Sequence, residues 1–319
     1  MSVITSITTG APRHVRRALG VLVLGFMAGP VFAGTLKIST LYPPGSAPVR
    51  SLTELSAELE SATSGALTLK VYPGGVMGDD ATVLRKLRIG QLQGALVSSS
   101  TLEALDVEIS DLSQPFQFDN LGEVHQARET FDATMRERLA ERGWHGFGPL
   151  DGGFSYVMSQ QPVADLAGLR ASKLWLPNTD AIRELSQQIR VDYQVLGIAD
   201  VLPALQTGAL DTLVAPPSAA LTLNWHSRVG YLTDQPVVYT WGMLVLPERS
   251  LARLTADQQA AAHRVLTLWA SQLDEQMRNS NLAADQALRQ QLTEVSIAPP
   301  TLSAIRAELG QSERPGNGS

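Results

Sequence analysis

Polar and apolar residues alternate along Thr35-Leu36-Lys37-Ile38-Ser39-Thr40, a period-two pattern that predicts a strand. It breaks at Tyr42-Pro43-Pro44-Gly45-Ser46, a loop by composition. From Pro48 the apolar residues Leu52, Leu55 and Leu59 recur at helical spacing, ending near Gly65. Leu67 to Tyr72 is a second strand, closed by Pro73-Gly74-Gly75. Asp79-Asp80 offers an N-cap to a helix carrying Val83, Leu84 and Leu87, and a buried strand, Ala95-Leu96-Val97, follows and ends in Ser98-Ser99-Ser100. Helical spacing returns from Leu121 to Leu139, and Gly143 to Pro149 breaks it. Phe154 to Met158 is another strand.

The stretch Leu166 to Pro177 reads as a short loop, Asp165 to Leu169, feeding a strand at Lys173-Leu174-Trp175-Leu176 that Pro177 stops. This places Trp175 and Asn178 at a strand end, where an α/β sheet presents side chains to a crevice. A Trp there is either a core residue or the floor of a binding site. Beyond it, Thr179-Asp180 cap a helix, Val191 to Val195 is a strand, and Asp200 caps a helix ending at Gly208. A strand from Leu210 to Val214, a helix from Ala219 to about His226, and extended segments at Tyr231 to Thr233 and Val237 to Leu246 follow. Thr255 and Gln258 form a capping box, and Ala262, Val265, Leu266, Trp269, Leu273 and Met277 make one apolar stripe. That helix persists to about Leu292, long enough to bridge two lobes. A short helix runs from Leu302 to Leu309, and the Gly/Pro/Ser-rich end from Glu313 reads as disordered.

Two segments 118 residues apart echo one another: Leu84, Leu87, Gly90, Leu92 and Leu96 against Leu202, Leu205, Gly208, Leu210 and Val214. Each is a helix, a glycine suited to a left-handed stop, a tight turn and an apolar strand. Helix–Gly–strand is a common unit, so coincidence is one reading. The other is two similar α/β lobes whose strand ends face a crevice.

Composition narrows the picture. A chain of 319 residues, 44% hydrophobic, is more naturally two lobes than one. With no Cys there is no disulfide, thiolate metal site or Cys nucleophile. The N-terminus reads as a secretory signal over residues 1–33, with a basic region at Arg13, His14, Arg16 and Arg17, an apolar run from Ala18 to Ala28, and Val31-Phe32-Ala33 at the cleavage site; a retained anchor is the alternative. Removing residues 1–33 takes away three Arg and no acid, so the net charge moves from −6 to −9, which excludes nucleic-acid binding.

No HExxH, nucleophile elbow, phosphate loop or GxGxxG occurs, and no metal or cofactor is expected. His263 sits beside the apolar stripe and reads as structural, while His226, next to Trp225, either packs or contacts a ligand. Ser98 to Ser100 have no His or Lys placed to activate them, and capping accounts for Asp79-Asp80. A secreted, acidic, two-lobed α/β protein with no catalytic constellation points to binding rather than turnover.

Four motifs in order carry a family resemblance: Tyr72 to Asp80, Pro115-Phe116-Gln117-Phe118, Asp165 to Leu169 with Lys173, and Ala204 to Asp211. They resemble the substrate-binding subunits of tripartite ATP-independent periplasmic (TRAP) transporters of the DctP type, over roughly residues 35 to 295. The resemblance implies an α/β, two-lobed periplasmic binding protein fold with a ligand cleft between the lobes and a long helix crossing both. The lobes expected are 34–152 with 241–282, and 153–240 with 283–312, followed by a tail at 313–319. It implies a periplasmic receptor that closes on a small molecule and delivers it to the small and large TRAP membrane subunits.

The family's usual ligand is an organic acid, held by an Arg at the position matching Trp175, a second Arg matching Ser155, and an Asn matching Ala215. All three are replaced. A carboxylate in an apolar pocket is unfavourable without a partner, and an Arg fork is the strong form of that contact. Arg170 and Arg183 are the nearest substitutes in sequence. The replacement pattern, with Lys173-Leu174-Trp175, Ala215-Pro216-Pro217 and Asn224-Trp225-His226, resembles a branch associated with partner proteins containing tetratricopeptide repeats (TPR) and with apolar or amphipathic ligands. The candidate ligand-binding residues are Tyr42, Phe154, Tyr156, Trp175, Asn178, Pro216, Trp225 and Trp241, each aromatic having core packing as its alternative. An organic acid on a non-standard anchor, or an enzyme or docking protein on the same fold, are the alternatives.

Overall fold

A computed structural model describes residues 34–103, 105, 112–177 and 180–310. Residues 1–33, where the sequence predicts a secretory signal, Asn178, Thr179 and the tail from Glu313 lie outside the described residues.

The chain opens with a parallel β–α–β unit: β1 (Gly34–Thr40), α1 (Ala47–Ala62) and β2 (Leu67–Tyr72), β1 pairing with β2 from Gly34↔Leu67 to Ser39↔Tyr72. Pro48 stands in the first turn of α1, where its missing N–H is harmless, and Leu52, Leu55 and Leu59 are buried against the sheet. Gly74 and Gly75 take positive φ, which lets their N–H groups reach the carbonyls of Tyr42 (2.8 Å) and Thr40 (3.1 Å) and clasp the carboxyl ends of β1 and β2 together. Asp79 caps α2 (Asp80–Arg88) by accepting from the Thr82 N–H at 2.9 Å. Next come β3 (Gly94–Ser98), α3 (Ser99–Glu103) and α4 (Leu121–Glu141).

The centre of the molecule is β4 (Trp144–Ser159). The sequence predicts a break at Gly143 to Pro149, yet the strand runs through it. Trp144 pairs with Pro247 and Phe147 with Leu244, and register shifts between Phe147 and Leu150 and between Asp151 and Gly153 absorb the Gly and Pro residues. Further on lie α5 (Leu166–Ala171), β5 (Leu174–Trp175), α6 (Asp180–Gln188), α7 (Ile198–Thr207), β6 (Thr212–Ala215) and α8 (Pro217–Thr222). After these come β7 (Tyr231–Thr233), β8 (Val238–Pro247), α9 (Ala256–Arg289), β9 (Thr293–Val295) and α10 (Pro299–Glu308).

Four local expectations are corrected. The segment from Asp165 to Leu169 is not a loop, because Asp165 accepts from the Gly168 N–H at 2.8 Å and starts α5. The strand holding Trp175 has two residues, not four. Val191 to Val195 forms a single bridge, Trp175↔Gln194, instead of a strand. The helix expected from Ala219 to His226 is two pieces, because Asn224 adopts positive φ and separates α8 from a 3-10 turn at Trp225–Arg228.

The strands form one mixed sheet, in the order β2-β1-β3-β8-β4-β6-β5, with β7 joining β4 to β9. The first part of β4 pairs antiparallel with β8, as far as Ser155↔Val238; from Tyr156↔Ala215 onward it pairs with β6. A single strand thus serves both lobes. Helix α9, 34 residues and about 50 Å long, does the same. Its Leu266, Trp269, Leu273 and Met277 pack with Leu36, Ile38, Leu52 and Leu244, while Leu288 near its far end packs with Leu213, Trp225 and Leu232. The sequence echo is structural: Gly90 and Gly208 both take positive φ, and the strands after them, β3 and β6, lie parallel to β1 and β5.

Candidate ligand cleft

Trp175, Ser155 and Ala215, the three positions that the sequence resemblance singles out, are neighbours in the sheet. Trp175 pairs with Leu213, two residues before Ala215; Ala215 pairs with Tyr156, and Ser155 precedes it. Alternation puts Trp175, Leu213, Ala215 and Tyr156 on one face, in one buried cluster. Leu174, Val214 and Val157 share the opposite face and its cluster. Ser155 alternates to that second face and is buried.

The first face carries most of the aromatic residues expected from the sequence. Phe154, Tyr156, Trp175, Trp225 and Trp241 belong to one cluster. Trp175 is 4% exposed and meets Trp225 edge-on at 5.3 Å between ring centres, and its Nε1–H donates to the Leu196 carbonyl at 3.1 Å. Phe154 meets Tyr239 at 5.6 Å, and Trp241 meets Phe131 of α4 at 5.3 Å. The indole N–H of Trp241 is buried and has no hydrogen-bond partner among the described residues. The Arg289 guanidinium lies over the Tyr156 ring at 5.1 Å, and burial, followed by the nearby Asp285 charge, pushes the Tyr156 phenol up.

Two candidates stand apart from this cluster. Pro216 is half-buried at the N-cap of α8. Tyr42 follows β1 and packs on the other core, beside α1 and α9. Its hydroxyl is pushed up to about 12, first by burial and then by the charge of Asp151. His226 is held by its own neighbourhood, Nδ1 lying 3.1 Å from the Ala220 carbonyl. Arg170, a possible substitute anchor, is engaged by the Ile189 carbonyl at 2.7 Å and Glu308 at 3.0 Å. A cavity of about 250 Å³ lies beside α4 between Leu112, Thr130 and Met135; Phe131 links it to Trp241.

Two polar groupings are brought together only by the fold. The first is at the carboxyl end of β3. Because Asp79 caps α2, Asp80 is left to accept from the Thr101 hydroxyl at 2.6 Å; Ser98 bonds Ser100 at 2.9 Å, and Ser113 donates to Ser99 at 3.1 Å. Burial raises the Asp80 carboxyl, opposed by the Thr101 bond. The adjacent-carboxylate pattern was visible, but not the division of labour within it.

The second grouping surrounds Asp151, 1% exposed in the bulged part of β4. It accepts from the Tyr239 hydroxyl at 3.0 Å and from Asn281 Nδ2 at 2.8 Å, and its own N–H donates to Asp274 at 2.8 Å. A lone acid followed by Gly152-Gly153 inside an apolar strand was its one trace in the sequence. Among the described residues no group of three or more His, Cys, Asp or Glu is arranged to hold a metal ion, and no helix is long and apolar enough to cross a membrane.

A mixed sheet shared by two lobes and a helix spanning both are the architecture of the periplasmic binding protein class. The chain belongs to the DctP family, bacterial extracellular solute-binding protein family 7, whose model matches residues 38–313. It is therefore a TRAP-type solute-binding receptor and not an enzyme.

Among its relatives, the C4-dicarboxylate-binding periplasmic protein DctP of Rhodobacter capsulatus is 23% identical over 268 residues, 79% of this chain and 78% of the relative. The sialic acid-binding periplasmic protein SiaP of Vibrio cholerae is 21% identical over 241 residues, 74% of each. A TRAP periplasmic solute binding protein of Citrobacter koseri with bound D-glucuronate superposes with a TM-score of 0.74 at 20% identity, covering 86% of this chain and 95% of that one. An extracytoplasmic solute receptor of Bordetella pertussis binding pyroglutamic acid gives 0.75 at 19% identity, covering 87% and 93%.

Proposed function

We propose that this chain is a periplasmic receptor that closes its lobes over a small apolar or amphipathic ligand and delivers it to the small and large membrane subunits of a TRAP transporter. The observation that carries the reading is the buried Trp175 on the same sheet face as Ala215 and Tyr156, at the position that the resemblance sets against the usual anchor Arg. That wall offers indole, phenyl and methyl groups where a carboxylate needs an Arg fork. The hydroxyls of Ser98, Ser100 and Thr101 and the Asp80 carboxyl stand at the end of another parallel strand, so one ligand can present an apolar body to one lobe and a polar end to the other.

The lobes in this reading are 34–152 with 241–282, and 153–240 with 283–312. Closure is accommodated where β4 leaves β8 for β6. Residues 1–33 export the protein, and a TPR-containing periplasmic protein is a partner on the strength of the branch resemblance.

A second reading is an organic acid on a non-standard anchor, favoured by the acids bound to structural neighbours. Thermal melting in the presence of a total lipid extract, and separately of succinate, D-glucuronate and sialic acid, separates the two. A rise in Tm with the extract alone is expected. A rise with one of the acids alone would favour the second reading.

A further inference from the structure

Five charged side chains meet where β4 bulges. Arg128 of α4 pairs with Asp132 at 3.0 Å and, through Nη1, with Asp274 of α9 at 3.0 Å. Arg278 of α9 pairs with Asp274 at 2.6 Å, and its Nε lies 3.9 Å from Asp151. Two cations face three carboxylates, which leaves one negative charge uncancelled in a site where Asp151 and Asp274 are buried. Both arginines are already paired with carboxylates, and the one buried donor left over, the Arg278 Nε–H, faces Asp151 at 3.9 Å without a hydrogen bond among the described residues.

This charge sits close to the candidate ligand residues. Asp151 is the direct strand partner of Trp241. It holds the hydroxyl of Tyr239, whose ring meets Phe154. Its field also reaches the Tyr42 hydroxyl, which resists ionisation partly for that reason. Away from bulk water a charge acts strongly over several ångströms. A site discriminates by repelling the wrong ligand as well as by attracting the right one.

We propose that Asp151 is a specificity-determining residue whose charge turns anionic solutes away, so that the polar end of the ligand is a neutral or cationic hydrogen-bond donor such as an alcohol or an ammonium group. The inference rests on the apolar-ligand reading above and adds the chemistry of the ligand's head. Asp151 acts through its field and through Tyr239, without touching the ligand.

The test uses three probes with one tail, 1-octanol, octylammonium and octanoate, titrated calorimetrically into the wild-type chain and into Asp151→Asn. The Asn keeps an acceptor for Tyr239 while removing the charge. In the wild type, octanol and octylammonium are expected to bind about tenfold or more tighter than octanoate, the ratio a nearby like charge imposes in a partly dry site. In Asp151→Asn, octanoate should gain affinity, octylammonium should lose it, and octanol should stay unchanged. Loss of structure would weaken all three together, so opposite shifts in one variant identify a charge effect. Equal changes for all three probes would overturn the proposal. Should Asp151→Asn fail to fold, the wild-type order decides, and octanoate binding as tightly as octylammonium overturns it. Octanol binding alongside tight octanoate would remove this inference and leave the apolar-ligand reading standing. Binding of succinate with no binding of any octyl probe would remove both.

Discussion

Trp175 buries an indole at the end of a two-residue strand, edge-on to Trp225 and tied to the Leu196 carbonyl. Trp175→Ala is expected to lower folding stability by about 3–5 kcal/mol, the usual range for deleting a buried Trp, and to weaken ligand binding beyond that. Chemical denaturation gives the first quantity, and titration of the folded fraction gives the second. Unchanged affinity in the folded fraction would return Trp175 to the core. Trp175→Arg alone should not create succinate binding, since Ser155 and Ala215 still offer no polar anchor; calorimetric titration with succinate checks this. Tyr239→Phe keeps the ring against Phe154 but removes a donor from buried Asp151, which should destabilise the fold by about 1–3 kcal/mol in urea melts. Neither partner of that bond was legible as a pair, because 88 residues separate them in the chain. Sequence patterns report local periodicity and miss such long-range polar contacts.

Among the elements, those closed by local chemistry were the legible ones. The Thr255–Gln258 capping box is present with both of its bonds, at 3.3 and 3.1 Å. Gly208 ends α7 at positive φ with open space around it. Gly208→Ala is therefore expected to destabilise through backbone strain alone, by about 1–2 kcal/mol, measurable as a shift in urea midpoint. What local chemistry did not reveal was β4. Its Gly and Pro residues read as a break, and the strand persists because β8, distant in sequence, supplies the ladder.

The packing of α9 on β4 also contains an imidazole pair. The rings of His145 and His263 lie 4.6 Å apart, beside Phe147, with Glu248 the nearby acid. Burial lowers both, and mutual repulsion lowers His145 further against the opposing pull of Glu248. Their folded values lie below the unfolded value, so the unfolded chain binds more protons as the pH falls. Stability is then complete above about pH 6.5 and declines as pH drops through it. Tm measured from pH 7.5 to 5 should fall, and His263→Phe, which keeps a ring beside Phe147, should flatten the slope. A slope unaffected by that change would show that other groups govern it.

For the whole molecule, the two-lobe plan was legible from the helix–Gly–strand echo and the unusual length of one helix. The site was legible in part. Of the candidates named from the sequence, Phe154, Tyr156, Trp175, Trp225 and Trp241 share one buried cluster, whereas Tyr42 and Pro216 stand outside it. The charge network behind β4 could not be read in advance, because it joins α4, β4, β8 and α9, with partners up to 146 residues apart. Family membership fixes the class of protein, a receptor, and leaves its ligand to be decided by experiment.

The most direct measurement is native mass spectrometry of the receptor purified from cells without denaturation, followed by identification of whatever it carries. An apolar or amphipathic adduct without a carboxylate, lost in Trp175→Ala, is the predicted result. A dicarboxylate, a sugar acid or a sialic acid bound tightly to the wild-type protein would contradict it.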